Sequence, residues 1–387
     1  MHWTRSSVLY AVLLGLLAGS VAAQNVAQNN KKIDPDAGYI PVVAPEEKTK
    51  KKKPDETQAL ALPPELPIAV VAETGRLAFH VAPLSSKGLL SQQVRDALKN
   101  LLHSSHGAIV MLRAFVAGSG DLRRVGEITG DLFQEKHLPL PALTVVQVGA
   151  LPLEGAQVAL EATELDRKIV NPQGVAFLAA QPAANVSQSL TKLKTLLAGH
   201  GMQPSNALLV TCYISSLDDQ RDTRQAMSSV FPGAALDYVQ AQRAPITPAA
   251  ACEARARLSD PASLNDAPSN DASGGNSQIA VVSGPEVVIT GTQMAFGNQD
   301  RDFNLAFERL DKALAEKGAS LKHVVLSHLY VTSSTLASRV LTLEKAGSAR
   351  SVLPVESLPS LDCSFGLDVV AVPDTAAPAS STEQNRR

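Results

Sequence analysis

The chain has 387 residues, of which 45% are hydrophobic and only 4% are aromatic. A chain of this length can bury substantial cores, and we expect about two to four globular domains. Its 35 Lys and Arg residues against 37 Asp and Glu residues leave a formal net charge of -2. This balance gives no overall attraction to nucleic acid or to an anionic membrane surface, so neither partner is expected.

The N-terminal stretch has the pattern of an export signal. Arg5 precedes the apolar run 8–19, which is followed by the small-residue sequence SVAA. The run is too short to cross a bilayer comfortably, and the small residues suit cleavage before Gln24. We therefore expect residues 1–23 to be a signal peptide and the mature protein to be periplasmic or secreted, with no membrane span.

Polar stretches divide the rest of the chain. Residues 24–67, 259–277 and 374–387 lack hydrophobic periodicity, so we expect a disordered linker, a second linker and a disordered tail. The basic run at 48–53 lies between acidic residues, and a solvated spacer is favoured over a binding patch. The segments that remain are called repeats 1, 2 and 3, and they span 68–168, 169–258 and 278–373.

Each repeat has the same order of predicted elements. Repeat 1 begins with a strand from Arg76, followed by an amphipathic helix that should stop at Gly107. A β-rich stretch from Ala108, a second helix and two alternating strands follow. Units of this size are whole domains rather than solenoid repeats. The inward positions predicted for the first helices of repeats 1 and 3 are Val94, Ala97, Leu98, Leu101 and Leu102, and Phe303, Phe307, Leu310 and Leu314.

The cysteines form an odd set of three, Cys212, Cys252 and Cys363. Two of them fall in repeat 2, so one disulfide is allowed in an oxidising compartment. Buried thiols are the favoured interpretation.

Two further motifs have a simple structural interpretation. His103 and His106 have a spacing that could bind a metal, yet no Cys or carboxylate cluster joins them in the sequence. Solvated histidines, and no metal, are therefore expected. The GSGD sequence from Gly118 lacks the Lys-Ser or Lys-Thr of a phosphate-binding loop, so it is interpreted as a turn.

The ends of the repeats share a motif. Repeat 1 ends with ALTVVQVGALP and VALEA, repeat 3 ends with ARSVLPVESLP and GLDVV, and repeat 2 is the most divergent. With VRDALKNLL and GDLF in repeat 1, these sequences resemble the Rid family, also called YjgF-like or endoribonuclease L-PSP proteins. The family motif is an Ala-Arg-Ser or Ala-Arg-Thr strand start, a Val-x-Val strand, a Leu-Pro turn and a strand with Glu-Ile-Glu-Ala. The similarity covers nearly all of 68–372.

The resemblance implies an α+β, chorismate mutase-like fold in which each repeat is a mixed sheet backed by two helices. Rid proteins assemble as homotrimers with ligand sites in the clefts between subunits. Three fused copies are therefore expected to form an intramolecular pseudo-trimer that is monomeric as a chain. A sheet covered by helices on one face must bury its other face, and covalent linkage supplies the partners. No cofactor is expected.

The resemblance also implies a deaminase-type hydrolase, which converts reactive enamines and imines to keto acids and ammonia. In the family, the motif Arg binds the substrate carboxylate with two hydrogen bonds. Its positions here are Leu143, Leu236 and Arg350, and an apolar side chain cannot hold a carboxylate. A small carboxylate, such as an imino or keto acid, is therefore expected at Arg350. An interface salt bridge is the alternative role for this residue.

The other family positions are altered. The Glu that positions the attacking water aligns with Ala159, Ala251 and Gly366, so no repeat keeps it. The cleft Asn of the family aligns with Gly126 and Arg224 in repeats 1 and 2. These changes put imine hydrolysis in doubt.

The second acid of the family motif is retained as Glu161, Glu253 and Asp368. Each is a candidate catalytic acid acting from a shifted position about 6.5 to 7 Å along the strand. The favoured alternative is a structural carboxylate paired across the trimer-like interface. Two functions remain open: an exported deaminase-like enzyme with one working cleft, and a non-catalytic pseudo-trimer that binds a ligand or a protein.

Overall fold

The computed structural model of the protein describes residues 64–243, 247–260, 278–343 and 348–374. The predicted signal peptide and nearly all of the predicted linkers and tail lie outside the described residues. None of the described helices is long and apolar enough to cross a membrane.

Repeat 1 contains the predicted order of elements. The apolar face of its first helix is buried as expected, with Val94 and Leu98 fully inaccessible to solvent. The elements are β1 (Ala69–Glu73), β2 (Leu77–Val81), α1 (Leu90–Ser104), β3 (Ala108–Ala117), α2 (Arg123–Glu135), β4 (Ala142–Val148) and β5 (Val158–Leu165).

Repeat 2 is built in the same way. The N-cap of its first helix is Asn185, whose side chain accepts a hydrogen bond from the Gln188 backbone N–H. The elements are β6 (Val175–Ala183), α3 (Val186–Gly199), β7 (Ala207–Ile214), α4 (Gln220–Val230), β8 (Ala235–Gln240) and β9 (Ala250–Arg257).

Repeat 3 differs in having its first long strand divided in two at Gly291 and Thr292. Phe303 and Phe365 pack edge to face between its first helix and its sheet, with ring centroids 5.7 Å apart. The elements are β10 (Ile279–Val282), β11 (Glu286–Thr290), β12 (Gln293–Phe296), α5 (Asp300–Ala315), β13 (Val324–Val331), α6 (Ser334–Leu343), β14 (Ala349–Pro354) and β15 (Cys363–Ala371).

The described residues form an α+β fold of three mixed sheets and six α-helices. The strand orders are β2-β5-β3-β4, β10-β6-β9-β7-β8 and β1-β11-β15-β13-β14, with β12 paired to β15. Each sheet contains one parallel pair, because the second helix of the repeat crosses over between its strands. The two helices of each repeat pack on one face of its sheet and enclose a separate apolar core.

Short N-terminal arms join each repeat to another one. The arm of repeat 1, β1, pairs with β11 of repeat 3, and the arm of repeat 3, β10, pairs with β6 of repeat 2. The arm of repeat 2 is shorter: the backbone N–H groups of Val170 and Asn171 both donate to the Gly75 carbonyl of repeat 1. The arms therefore connect the repeats in a closed cycle. Sequence patterns did not predict these contacts, since they join strands distant along the chain.

The sheet faces opposite the helices contribute to shared cores. One cluster of buried side chains combines Phe115 of repeat 1, Tyr213 of repeat 2 and Tyr330 of repeat 3. The rings of Phe115 and Tyr213 meet edge to face at 5.8 Å. A second mixed cluster includes Leu77, Phe177 and Leu326 from the three repeats. Both faces of each sheet are thus buried, one against its own helices and the other against the other repeats. This is expected for strands with hydrophobic side chains on both faces.

The favoured interpretation of the cysteines was wrong for two of the three. Cys212 and Cys252 form a disulfide, whereas Cys363 is a buried free thiol, as predicted. The two bonded residues lie directly opposite each other on the antiparallel strands β7 and β9, with Cα atoms 4.0 Å apart. Only the strand register, which the sequence did not supply, brings them together.

Gly107 has a different role from the predicted one. The helix α1 ends at Ser104, and Ser105 is its C-cap. A Cβ atom added to Gly107 would lie only 2.0 Å from the carbonyl oxygen of Leu165. The glycine is therefore required because the end of β5 approaches the backbone here, and not as a helix stop.

Candidate functional site

Leu143, Leu236 and Arg350 occupy the same structural position. Each is the second residue of the strand that runs parallel to the central strand of its repeat: β4, β8 and β14. All three side chains are half-buried, whereas the next residue along each strand is buried. The alignment predicted from the sequence therefore agrees with the strand geometry.

Each of these strands meets another repeat. The Thr292 N–H of repeat 3 donates to the Leu143 carbonyl of repeat 1 at 3.1 Å. The Ala180 N–H of repeat 2 donates to Ser351 Oγ of repeat 3 at 2.8 Å. The strand β8 contacts β2 of repeat 1. Arg350 is therefore next to the boundary between repeats 3 and 2, and β6 of repeat 2 completes its surroundings.

The cleft at Leu143 has a mostly apolar lining, although Arg123 also contributes to it. A cavity of about 220 Å³ lies between repeats 1 and 3, and its lining includes Leu122, Leu143, Val145, Met294 and Pro359. A Cβ atom on Gly126 would be 3.6 Å from Leu143 Cδ2, so the two altered family positions are neighbours. Apolar surface at both positions cannot compensate the loss of hydration of a carboxylate.

Gly366, the repeat 3 residue that aligns with the water-positioning Glu of the family motif, has no room for a glutamate side chain. A Cβ atom on Gly366 would lie 2.8 Å from Thr292 Cγ2 and 3.3 Å from a Leu358 methyl group. Gly366 is opposite Tyr330 on β13, and Ala159 is opposite Phe115 on β3. Aromatic rings now occupy the layer in which the family acid would act.

The three retained acids meet in the interior. Glu161, Glu253 and Asp368 are no more than 4% exposed. They lie opposite Arg113, Thr211 and His328 on the central strands. These six residues form a buried polar layer, which we call the central network.

Arg113 connects two of the acids. Its guanidinium contacts Glu161 Oε2 of its own repeat at 2.5 Å and Glu253 Oε1 of repeat 2 at 2.7 Å. Thr211 Oγ1 of repeat 2 donates to Glu161 Oε1 at 2.5 Å. Burial alone would lower the pKa of Arg113, but Glu161 and the other neighbouring acidic groups raise it above its ordinary value.

His328 connects the other pair. Its Nδ1 lies 2.6 Å from Asp368 Oδ1, and its Nε2 lies 3.1 Å from Glu253 Oε2. Burial would lower the pKa of His328, but the two carboxylates raise it above the ordinary value. Burial would likewise raise the pKa of both acids, whereas the charge of His328 holds both pKa values below the usual range. The two carboxylates thus favour the protonated form of the imidazole that lies between them.

Hydroxyl groups also donate hydrogen bonds to Asp368 and Glu253. Thr144 and Tyr330 each donate to Asp368 Oδ2 at 2.8 Å, and Ser351 donates to Glu253 Oε2 at 2.9 Å. The contacts of Thr144 and Ser351 cross repeat boundaries, whereas Tyr330 belongs to the same repeat as Asp368, so the acids are paired across the interfaces as well as within a repeat. This is the structural alternative considered for them. Their lone pairs are engaged in the interior and do not line the cleft at Leu143.

Arg255 and Asp237 extend the central network. Arg255 Nη2 lies 3.1 Å from His328 Nε2 and 3.5 Å from Glu253 Oε1, and its guanidinium stacks over Phe177. Burial, followed by the charge of Glu161, raises the pKa of Asp237 to about 7. A cavity of about 30 Å³, comparable to the volume of a water molecule, lies beside Arg113, Arg255 and His328.

Sequence reasoning missed the cationic members of the central network. Arg113 and His328 each interrupt a run of small or apolar residues in a buried strand, whereas Arg255 lies between two alanines on a strand that also carries Glu253 and Arg257. A charge within a strand that is hydrophobic on both faces indicates a buried ion pair, because an unpaired charge there is strongly destabilising. The sequence contained this indication of buried ion pairs, but it did not identify the residue that pairs with each charge.

The remaining sequence candidates lie apart from the central network. Gly118 has a φ of 85° and forms a turn, as predicted. Arg224 is exposed on α4. His103 is exposed in the last turn of α1, and His106 is exposed before β3.

These features define a class of protein: tandem α+β repeats that bury their second sheet faces against one another through a polar centre. No protein-family model matches the chain, and no curated protein matches it. Among solved structures it is similar to a YjgF/YER057c/UK114 family member from Mycobacterium tuberculosis, with 19% identity over 22% of this chain and 77% of that chain (TM-score 0.19). It is also similar to a Rid family protein of unknown function from Yersinia pestis, with 22% identity over 28% and 94% (TM-score 0.21).

A chorismatase is similar over a longer stretch, with 11% identity over 76% of this chain and 98% of that chain (TM-score 0.22). The first two proteins belong to the YjgF/Rid family, which is the family that the sequence motifs predicted. Each covers about a quarter of this chain. Likenesses of this degree concern the fold and carry no conclusion about activity.

Proposed function

We propose that the chain is a Rid-like protein that binds one small carboxylate, such as an imino or keto acid, at Arg350. The observation that carries the proposal is the unequal chemistry of three equivalent positions. Two are the leucines Leu143 and Leu236, and one is a half-buried arginine beside another repeat. A guanidinium can donate two parallel hydrogen bonds to a carboxylate, which together contribute about 1.5 to 3 kcal/mol.

The proposed architecture is an intramolecular pseudo-trimer. The cyclic exchange of the arms and the pairing of Glu253 with Arg113 and His328 of the two other repeats support it. A single elongated set of separate domains would expose these charges and break the pairs. Small-angle scattering should therefore give one globular particle per chain, and an extended three-lobed particle would contradict the proposal.

The binding experiment compares arginine with the residue that the other repeats carry. We expect 2-ketobutyrate to bind with a stoichiometry near one by calorimetry. Arg350→Leu should weaken binding by about 30-fold to 1,000-fold, because it removes the guanidinium that donates both hydrogen bonds and leaves the ligand carboxylate unpaired. Arg350→Lys should restore only part of the affinity, because an ammonium cannot hold both oxygens in one plane.

The matched control is Arg301→Leu, which removes an exposed arginine of the same repeat. It changes the net charge by the same amount but should leave binding unchanged. Binding of three equivalents, or an unchanged affinity in Arg350→Leu, would contradict the proposed site.

Deaminase activity is tested in the same proteins. Ammonia release from freshly generated 2-imino acids should show little acceleration, because the positions of the water-activating acid are Ala159, Ala251 and Gly366. Acceleration that is lost in Arg350→Leu would extend the proposal from a binding protein to an enzyme.

We also propose that the protein is exported. The signal-like sequence before Gln24 and the Cys212–Cys252 disulfide support an oxidising compartment. N-terminal sequencing of the mature protein should begin at Gln24, and recovery of intact Met1 from the cell envelope would contradict export by cleavage.

A further inference from the structure

A cluster of histidine and carboxylate side chains lies at one end of the sheet of repeat 1, away from the central network. His106 precedes β3, Glu164 is near the end of β5, and Asp166 follows that strand. Ligand atoms of these three residues all lie within 4.8 Å of one another. Local sequence patterns did not indicate this grouping, because His106 and Glu164 are 58 positions apart.

The first carboxylate is held in place by its surroundings. Glu164 is fully buried, and its Oε1 accepts hydrogen bonds from the backbone N–H groups of His106 and Gly107. Its Oε2 lies 2.5 Å from His80 Nε2 on β2. Glu164 therefore has a fixed orientation, and the same contacts fix the backbone of His106.

The second carboxylate has one oxygen directed toward the histidine. Asp166 Oδ1 accepts a hydrogen bond from the Lys168 N–H at 2.7 Å. Its Oδ2 lies 3.9 Å from His106 Nδ1. This separation is too long for a hydrogen bond but allows one ion to contact both atoms at about 2.0 to 2.2 Å.

The fold itself does not require these acids. Counted from the paired acids Glu161, Glu253 and Asp368, the position of Glu164 is alanine in both other repeats, and that of Asp166 is leucine or proline. The residues concerned are Ala256 and Leu258 in repeat 2, and Ala371 and Pro373 in repeat 3. The cluster is therefore an addition made in repeat 1 alone.

We propose that His106, Glu164 and Asp166 bind a Zn²⁺ ion, with His80 as the residue that orients Glu164. One imidazole nitrogen and two carboxylate oxygens suit zinc, and water completes a tetrahedral site. The imidazole disfavours Mg²⁺ and Ca²⁺, which take oxygen ligands. Carboxylates that bind a metal are themselves held by hydrogen bonds from neighbouring residues, which is the role given to His80.

The test is calorimetric titration of the untagged chain with ZnCl₂ at neutral pH. One equivalent should bind, and excess MgCl₂ should not compete. His106→Ala removes an exposed side chain and leaves the fold intact, and it should weaken zinc binding at least 10-fold to 100-fold. Asp166→Asn should have a similar effect, because the amide carries no negative charge.

The matched control is His103→Ala, which removes the other exposed histidine three residues earlier. It should leave zinc affinity unchanged. His80→Gln should weaken binding about 10-fold to 100-fold through loss of the support of Glu164. The absence of zinc binding, an unchanged affinity in His106→Ala, or an equal loss in His103→Ala would overturn the proposal.

Discussion

The centre of the molecule and the cleft at Leu143 distribute polarity in opposite ways. The centre is fully buried, yet it holds Arg113, Glu253 and His328 in direct contact. The cleft contains a cavity of about 220 Å³, yet the side chain at the position equivalent to Arg350 is Leu143. Charged groups are thus concentrated where solvent is excluded, whereas the cleft at Leu143 is lined mostly by apolar side chains.

This difference teaches that the charges of the centre determine which repeats lie together. On its own sheet Glu253 has the neutral Thr211 opposite it, and Arg255 of the same strand is more distant, at 3.5 Å. Its cationic partners across the boundaries are Arg113 of repeat 1 and His328 of repeat 3. A buried ion pair adds little net stability, but removing one partner is strongly destabilising. The centre therefore favours one arrangement of the three unequal repeats.

The largest expected effect is that of breaking the centre. Arg113→Ala would leave Glu161 and Glu253 buried without their shared cation, and we expect a loss of about 3 to 5 kcal/mol in the free energy of unfolding. Urea denaturation followed by circular dichroism measures it. Arg123→Ala, which removes a solvent-exposed arginine paired with Asp121, is the control and should show no resolved change. Equal stability of the two variants would show that the central network does not hold the repeats together.

The Cys212–Cys252 disulfide lies within repeat 2, so its contribution to stability can be compared with that of the central network between repeats. Cys212 and Cys252 are 40 positions apart, and a closed loop of this length restricts the unfolded chain by about 3 to 4 kcal/mol. Urea denaturation with and without reductant should differ by that amount in the wild type. The double variant Cys212→Ala, Cys252→Ala should not respond to reductant. A response that persists in the double variant would contradict the assignment.

The pH dependence of stability should also arise in the centre. His328 has a raised pKa, so the folded state binds more protons than the unfolded state above the ordinary histidine value of about 6.5. Its contribution to stability is complete below that pH and is lost as the pH rises through the raised value. His328→Gln should reduce the fall of the unfolding free energy as the pH rises above neutrality. The same substitution at the exposed His200 should not change this dependence. A wild type whose stability rises from pH 7 to 9 would contradict this sign.

Asp237 should act in the same direction at lower pH. Its pKa is raised from 3.8 to about 7, so stability should fall as the pH rises between these two values. The neutral isostere in Asp237→Asn should remove this part of the pH dependence. Unfolding curves at pH 4, 5.5 and 7 measure it, and identical profiles for the wild type and the variant would exclude the assignment.

The smallest expected effect is a gain at the cleft. Leu143→Arg with Gly126→Asn places family-like residues beside the apolar cavity, and we expect a second, weaker equivalent of 2-ketobutyrate binding by calorimetry. Binding should remain weak, because most of the other lining residues stay apolar. Leu143→Met is the matched control and should add no binding.

The sequence by itself determined the repeats, the order of their elements and the inward faces of the helices. Strand and helix periodicities are local properties of the chain, which is why these features could be predicted. The equivalence of Leu143, Leu236 and Arg350 was indicated by the motif repeated at the ends of the repeats. Leu98 and Phe303 lie in the helix-facing cores, as their spacing predicts.

Only the tertiary structure decided the roles of the remaining polar residues. The pairing of Arg113 with Glu253, the Cys212–Cys252 disulfide and the grouping of His106 with Glu164 all depend on register and on packing between distant segments. A one-residue shift of a strand would reverse the face of every side chain in it, so local patterns cannot specify these contacts. They form because burying both faces of each sheet brings the polar groups together, and each group must then find a partner.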